Sequence, residues 1–281
     1  MFARHDLIWL TPAGWSAQLA GLPDAAPAPV AGPHGAASTI VAGQPGAASE
    51  FVAGLPGTAH SVVALPTGAA AAVVAGVDRA SSAAAVDAAR DALLRWRDND
   101  WPLIVRRREP DAPDDSVCAG LAAPPNAVTG AKLRLPLRVH AGHIARHEHP
   151  LPLWAALHAA PSAWQSAFAA LAAAAEGQDM RVYGSFALQA LTGLPYLRPS
   201  SDIDIAFYPQ NAAQLDAGVT LLAAHAAHLP LDGEIIFPSG QAVSWKEWHA
   251  TRDSSARVLV KAASAVHLRT PETLRAELES V

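Results

Sequence analysis

Residues 180–205 read MRVYGSFALQALTGLPYLRPSSDIDI, and this stretch decides the fold. Met180–Tyr183 is strand-like and leads into a Gly184-Ser185 pair. Asp202 and Asp204 then alternate with two isoleucines. Successive side chains of an extended strand point to opposite faces, so we expect both carboxylates on one face. The order of strand, Gly-Ser turn, helix and acidic strand predicts a mixed α/β unit with a polar site at one edge of its sheet.

These residue types suit metal-dependent phosphate chemistry. Two neighbouring carboxylates repel each other unless a cation lies between them, and Mg²⁺ prefers such oxygen ligands and normally also binds substrate phosphates. A helix predicted over Phe186–Leu194 presents backbone N–H groups and a positive dipole end to a phosphate at Gly184 and Ser185. We therefore predict a nucleotidyltransferase-type site in which Asp202 and Asp204 bind two Mg²⁺ ions.

A third carboxylate is expected from a neighbouring strand, because most such sites use one. Asp232 and Glu234 alternate on the strand predicted over 232–237, so they share a face. Glu234 lies inside that strand, whereas Asp232 belongs to a turn-like Asp-Gly pair. Glu234 is therefore the predicted third metal ligand and a candidate general base for the attacking hydroxyl, with Asp232 as the alternative.

Ser185 and the lysines are the candidates for binding phosphate. The Ser185 hydroxyl and backbone N–H suit a phosphate oxygen, although a serine at this position also suits a helix N-cap. Lys246 and Lys261 are two of only three lysines in the chain. Lys261 ends an apolar strand and is the predicted phosphate ligand, whereas Lys246 lies in an amphipathic stretch typical of a solvated surface.

Composition excludes several classes of protein. The chain has 281 residues, a net charge of −5 and a pI near 6.2, which argues against a general nucleic-acid binder. Cys118 is the only cysteine, so no internal disulfide forms, as expected in a reducing cytosol. The opening residues lack the apolar core of a signal peptide, and the longest apolar run, 69–77, is too short to cross a bilayer. We expect a cytoplasmic protein without a membrane or nucleic-acid partner.

The pattern along the chain predicts an α+β protein of two domains. Residues 1–150 form a small N-terminal sheet domain, and residues 151–281 form a nucleotidyltransferase-like catalytic domain with flanking helices. The predicted strands cover 7–10, 101–105, 117–121, 133–139, 180–183, 202–207, 232–237 and 257–261. Helices are predicted from near Ser81 to Asn99, around Trp164 and Leu215, and after Thr270-Pro271.

An eleven-residue repeat interrupts the N-terminal domain at about 27–80. Its signature is a Val-Ala-Gly or Val-Ala-Leu triplet, which begins at Val30, Val41, Val52, Val63 and Val74. Each unit has few large apolar residues and several turn formers, so it cannot readily offset its own ordering entropy. We interpret the segment as a tandem-duplication insert, with a β-rich solenoid as the alternative.

The stretch Lys132–His149 is basic in an otherwise acidic chain. Its cations, Arg134 and Arg138 among them, suit a phosphate-rich substrate or an acidic protein partner. Four histidines also invite a zinc interpretation, because His143 and His147 have the spacing of a helical ligand pair. The stretch is too short for two clear turns of helix and lacks the usual intervening glutamate, so we do not expect a zinc site there.

Several stretches together resemble the malonate decarboxylase holo-acyl carrier protein synthases. These are phosphoribosyl-dephospho-CoA transferases of the nucleotidyltransferase superfamily. The resemblance includes the long Thr-Gly-Leu-Pro-Tyr-Leu insert between Gly-Ser and the aspartates. It is carried by residues 4–10, 101–107, 182–205, 232–234 and 258–261, and it omits roughly 27–80.

The resemblance implies a reaction. A serine of the malonate decarboxylase acyl carrier subunit attacks the α-phosphorus of triphosphoribosyl-dephospho-CoA, and pyrophosphate leaves. The catalytic aspartates of the family map onto Asp202 and Asp204. Two alternatives remain open on the residues alone. One is a nucleotidyltransferase that uses ATP or another NTP on a small molecule or protein, and the other is a binding module without catalysis.

Overall fold

The computed structural model describes residues 2–23, 79–251, 256–262 and 265–279. Most of the predicted repeat insert lies outside these ranges. The strands are β1 Leu7–Leu10, β2 Leu103–Val105, β3 Ser116–Ala122, β4 Arg134–His140, β5 Ile144–Glu148, β6 Leu151–Pro152, β7 Met180–Tyr183, β8 Ile203–Phe207, β9 Leu231–Ile236, β10 Ala242–Ser244, β11 Val258–Lys261 and β12 Val266–Arg269. The α-helices are α1 Pro12–Ala20, α2 Arg79–Asp98, α3 Leu153–Ala156, α4 Ser162–Ala174, α5 Gly184–Thr192, α6 Ala212–His225, α7 Trp245–Ala250 and α8 Pro271–Arg275.

The first sheet is antiparallel, with strand order β4-β3-β2-β1-β5. Alternation along β4 buries Leu135, Leu137 and Val139 on one face. That face packs on apolar side chains of α1 and α2, including Trp15 and Trp96. The opposite face carries residues such as Gly120 and Pro136, and it is turned toward the second sheet.

The second sheet has the order β12-β11-β10-β9-β8-β7-β6. Among its described strand pairs only β8 and β9 are parallel, and α6 supplies the crossover that a parallel pair needs. Ile203, Ile205 and Phe207 of β8 are fully buried against Phe168 and Phe186 from the helices. This apolar packing fixes the position of β8, the strand that carries the acidic motif.

The two sheets meet at the predicted site. The Tyr196 hydroxyl donates a 2.7 Å hydrogen bond to the carbonyl oxygen of Ala122. The ring of His5 stacks on Tyr183 with centroids 3.9 Å apart. The end of β3 is thereby held against the segment that follows α5, and the residues before β1 are held against the end of β7.

The predicted α+β class is confirmed, and most predicted strands are present with ends shifted by one or two residues. The helix predicted from Phe186 begins two residues earlier, at Gly184, and the left-handed Gly193 caps its end. Strand β5 was not predicted, because Arg146, His147 and Glu148 gave it no apolar alternation. The division of the chain near residue 150 and the extent of the insert stay predictions.

Candidate active site

Three aspartates converge at one end of β8 and β9. Asp202 lies just before β8, Asp204 is its second residue, and Asp232 is the second residue of β9. The parallel register places Asp204 directly beside Asp232. Each aspartate offers one carboxylate oxygen within 4.8 Å of the other two. Three oxygen ligands at this separation form a suitable site for a hard divalent cation.

The electrostatics of Asp204 point the same way. Burial is the largest cause that raises the pKa of Asp204, and together with the negative charges of Asp202 and Asp232 it brings that pKa to about 7. The positive charge of Lys132 lowers that pKa but does not offset these effects. A cation at the three carboxylates would relieve the repulsion, so the residues fit a metal ion.

Gly184 gives the Asp204 carboxylate its space. Its φ of 69° lies in the left-handed region, and a Cβ on it would lie 2.0 Å from Oδ2 of Asp204. A side chain at this position would therefore both strain the turn and collide with the carboxylate. The sequence Tyr-Gly-Ser thus brings the start of α5 against the acidic strand.

The start of α5 has free hydrogen-bonding capacity. Tyr183 is the N-cap residue and makes no side-chain cap bond. Ser185 lies inside the helix, so the alternative interpretation of Ser185 as the N-cap is wrong. Its hydroxyl has no hydrogen-bond partner among the residues that the structure describes. The first N–H groups of α5 and this hydroxyl are consequently available to an anion beside Asp204.

Glu234 does not join the three aspartates. It lies farther along β9, opposite Ala206. It is 4% exposed, and its oxygens contact Lys261 at 2.7 Å, Arg4 at 3.2 Å and His5 at 3.4 Å. Burial raises the pKa of Glu234, but the hydrogen bonds from His5 and Lys261 and the charge of Arg4 outweigh burial and lower it to about 2. The carboxylate that lies with those of Asp202 and Asp204 is therefore that of Asp232, whereas the buried Glu234 is the centre of an ion-pair cluster.

The predicted turn at Asp232-Gly233 is a further difference from the sequence analysis. Both residues belong to β9, and the φ of Gly233 is 127°. A Cβ on Gly233 would lie 2.0 Å from the carbonyl oxygen of Ile205. The glycine therefore permits close contact between β8 and β9 rather than a turn.

The lysines divide among three environments. Lys261 is bound to Glu234, so its ammonium group is already paired. The Lys246 ammonium lies 3.4 Å from Asp232, close to the aspartates, although the sequence suggested a solvated surface role. Lys132 is half-buried, and its charge acts on Asp204. The sequence analysis missed Lys132 as a site residue, and only its position in the basic stretch could have indicated it.

The basic stretch does not act as one patch. Arg138 pairs with Glu109 and Asp111, whereas Arg134 has no ion-pair partner within the described ranges. His147 and His149 both contact the buried carboxylate of Asp6, at 2.6 and 3.1 Å. These two histidines alternate along extended chain, so the helical spacing of His143 and His147 has no counterpart in the structure.

Two family models match most of the chain that the structure describes. A family model described as the phosphoribosyl-dephospho-CoA transferase MdcG C-terminal domain matches residues 152–272. A second model, described as the phosphoribosyl-dephospho-CoA transferase MdcG N-terminal domain, matches residues 59–150. The chain belongs to the phosphoribosyl-dephospho-CoA transferase family. The second match begins inside the segment 27–80 that the sequence analysis treated as an insert.

Similar proteins carry the same description. A phosphoribosyl-dephospho-CoA transferase of Xanthomonas campestris pv. campestris (strain 8004) is 37% identical over 186 residues, which cover 65% of this chain and 84% of the relative. One from Bradyrhizobium diazoefficiens is 37% identical over 195 residues, which cover 68% of this chain and 83% of the relative. No solved structure matches the chain. Among the described residues, the helices are all too short or too polar to cross a membrane.

Proposed function

We propose that this transferase moves the phosphoribosyl-dephospho-CoA group from triphosphoribosyl-dephospho-CoA to a serine of the malonate decarboxylase acyl carrier protein. The serine oxygen forms a bond to the α-phosphorus of the donor. The bond from that phosphorus to the bridging oxygen breaks, its electron pair leaves with pyrophosphate, and the serine proton passes to solvent. The names of the relatives support the transferred group, and the resemblance in sequence supports the carrier.

The observation that carries this proposal is the convergence of Asp202, Asp204 and Asp232 beside the start of α5. The carboxylates suit two Mg²⁺ ions, and the α5 terminus suits the phosphate oxygens. Bound ions there would neutralise the charge of the triphosphate and of the departing pyrophosphate. Asp202 and Asp204 keep the metal role predicted for them, and Asp232 takes the role predicted for Glu234.

Glu234 and Lys261 take a positioning role in this proposal. A carboxylate with a pKa of about 2 is a poor proton acceptor at neutral pH, so Glu234 is not suited to act as the general base. Its contacts with Arg4, His5 and Lys261 instead hold the residues before β1 against the middle of β9 and the end of β11. Gly184 and Ser185 remain the proposed phosphate-binding residues.

Mass spectrometry of the carrier protein tests the proposal. The carrier is incubated with enzyme, Mg²⁺ and the triphosphoribosyl donor, and the expected result is a mass gain that equals the phosphoribosyl-dephospho-CoA group. A carrier with its acceptor serine changed to alanine should gain nothing. Asp202→Asn should abolish transfer, whereas Asp87→Asn, on the exposed face of α2, should not. A nucleotide added from ATP instead would replace this proposal with the alternative nucleotidyltransferase.

A further inference from the structure

A groove between the two sheets opens directly beside the aspartates. It has a volume of about 380 Å³, and Gly184, Ser185 and Asp204 lie at one end. Its walls come from both halves of the chain, and they include Ile104, Gly120, Ala122, Pro136, Leu188 and Tyr196. We call this cavity the interdomain groove. Its position next to the proposed phosphate site means that a ligand reacting there would extend into it.

The first sheet contributes Gly120, Ala122 and Pro136 to the floor of the interdomain groove. In the β3–β4 register Gly120 pairs with Pro136 and Ala122 pairs with Arg134. These positions share a sheet face, because alternate residues of each strand point the same way. The intervening residues of β3 and β4 point to the opposite face of the sheet and pack on α1 and α2. The first sheet thus uses one face for its core and leaves the other open beside the catalytic residues.

Two further cations line the interdomain groove. Lys132 and Arg134 make no ion pair with any residue that the structure describes, although the chain has a net charge of −5. Arg106, which also lines the groove, is paired with Glu109. Unpaired cations above an apolar floor are suited to a ligand that combines phosphates with apolar groups.

We propose that the interdomain groove binds the dephospho-CoA portion of the donor. The diphosphate of that portion contacts Arg134 and Lys132, and its apolar arm lies over Gly120 and Pro136. The triphosphate end then reaches the aspartates, which border the same cavity. This assignment builds on the proposed function and gives the first sheet a direct part in substrate binding.

Titration calorimetry with dephospho-CoA tests the groove separately from the reaction. This probe lacks the triphosphoribosyl group, so its binding requires no transfer, and the titration is made without divalent ions. Arg134→Gln and Lys132→Gln should each weaken binding ~10-fold, as expected for the loss of a charged hydrogen bond. Arg107→Gln is the matched control. It removes the same charge from an exposed arginine that does not line this groove, and its affinity should equal that of the wild type.

A variant that fills the groove tests dephospho-CoA binding without changing any charge. A Cβ on Gly120 would meet its nearest neighbours at 3.6 and 3.8 Å, which are ordinary contacts. Gly120→Val should therefore fold, place its methyl groups in the groove and weaken dephospho-CoA binding ~10-fold with little change in melting temperature. Wild-type protein that does not bind dephospho-CoA, or variants that all bind it as wild type does, would overturn the proposal.

The two proposals fail in different ways. Asp202→Asn should lose transfer but keep dephospho-CoA binding, because Asp202 belongs to the metal site and does not line the groove. If wild-type protein modifies the carrier while Arg134→Gln and Gly120→Val keep the wild-type donor KM, the groove assignment is wrong and the proposed function stands. If dephospho-CoA binding follows the prediction but the carrier gains no mass, the groove stands and the acceptor is wrong.

Discussion

Asp204 determines how the metal-free protein should respond to pH. Its pKa in the folded state is about 7, whereas the ordinary aspartate value is 3.8. Because the folded pKa is raised, the stabilising contribution of this group is complete below about pH 4 and is lost as the pH rises through 7. Ionised Asp204 therefore destabilises the metal-free fold at alkaline pH.

Asp204→Asn should accordingly stabilise the metal-free protein at pH 8. Each pKa unit corresponds to about 1.4 kcal/mol, and partial solvation reduces the effect, so we expect a gain of ~2 kcal/mol in the free energy of unfolding. The gain should shrink at pH 5, where much of the wild-type carboxyl group is protonated on folding. Denaturant unfolding in EDTA at both pH values measures this difference. A variant equally or less stable than the wild type at pH 8 would contradict the raised pKa.

Substitutions of Asp232 and of Glu234 should have different effects on metal binding. Asp232→Asn removes a charge from the three-aspartate group and should weaken Mg²⁺ binding at least ~10-fold, as for loss of a metal-site ligand. Glu234→Gln leaves that group intact and should change Mg²⁺ affinity little. It should instead lower the free energy of unfolding by ~2–3 kcal/mol, because Lys261 and Arg4 lose their buried partner.

Metal titration and denaturant unfolding of the two variants decide between these roles. An Mg²⁺ affinity that falls with Glu234→Gln and not with Asp232→Asn would restore Glu234 as the third ligand. The residue pattern favoured Glu234 because of its place inside the strand, but it left Asp232 as an alternative, since both side chains share a face. The choice depends on the β8–β9 register, which pairs Asp204 with Asp232 and Ala206 with Glu234.

The β7–α5 turn shows the strength of local sequence information. Strand, glycine and helix follow one another within residues 180–192, so chain order alone brought Gly184 and Ser185 near the acidic strand. Strand β5 shows the limit. The backbone of β5 pairs with β1, and the side chain of His147 contacts Asp6. Neither interaction requires apolar residues at alternate positions, so β5 has no apolar period in the sequence.

Gly184→Ala should inactivate the enzyme through this turn. The new Cβ would displace the Asp204 carboxylate, and a shift of about 1 Å in a catalytic group can cost ~100-fold in rate. Gly193→Ala is a close control, because Gly193 has the same φ of 69° at the other end of α5, but a Cβ there would meet nothing within 4 Å. It should lose ~1 kcal/mol of stability and retain transfer. If Gly184→Ala and Gly193→Ala lose activity equally, the loss would result from backbone strain and not from displacement of the Asp204 carboxylate.

At the scale of the whole molecule, the site joins segments that are distant in the chain. Glu234 is bound by Arg4 and His5, which are 230 and 229 residues away. The interdomain groove likewise needs β3 and β4 beside α5. Sequence periodicity predicts each helix or strand separately. It therefore placed Asp202 and Asp204 on one face of a strand, but it did not predict which cations lie near these two aspartates. Tertiary pairing supplied Lys132 and Arg134 as neighbours of the site.

The hydrogen bond between Tyr196 and Ala122, which joins the two sheets, can be removed by deleting one oxygen atom. Tyr196→Phe removes the hydroxyl that donates to the carbonyl oxygen of Ala122, at the edge of the interdomain groove. We expect a loss of ~1 kcal/mol in stability and a severalfold rise in donor KM, with kcat nearly unchanged, because the aspartates and the start of α5 are untouched. Steady-state kinetics at varied donor concentration measures the two constants.

Tyr208→Phe is the control for this change. The Tyr208 hydroxyl has no hydrogen-bond partner in the described part of the chain, and Tyr208 does not line the groove. Its removal should leave both kinetic constants at their wild-type values. A fall in kcat for Tyr196→Phe without a change in KM would mean that the contact between the sheets aligns the reacting groups. An unchanged KM and kcat would mean that packing alone holds the first sheet against the catalytic residues.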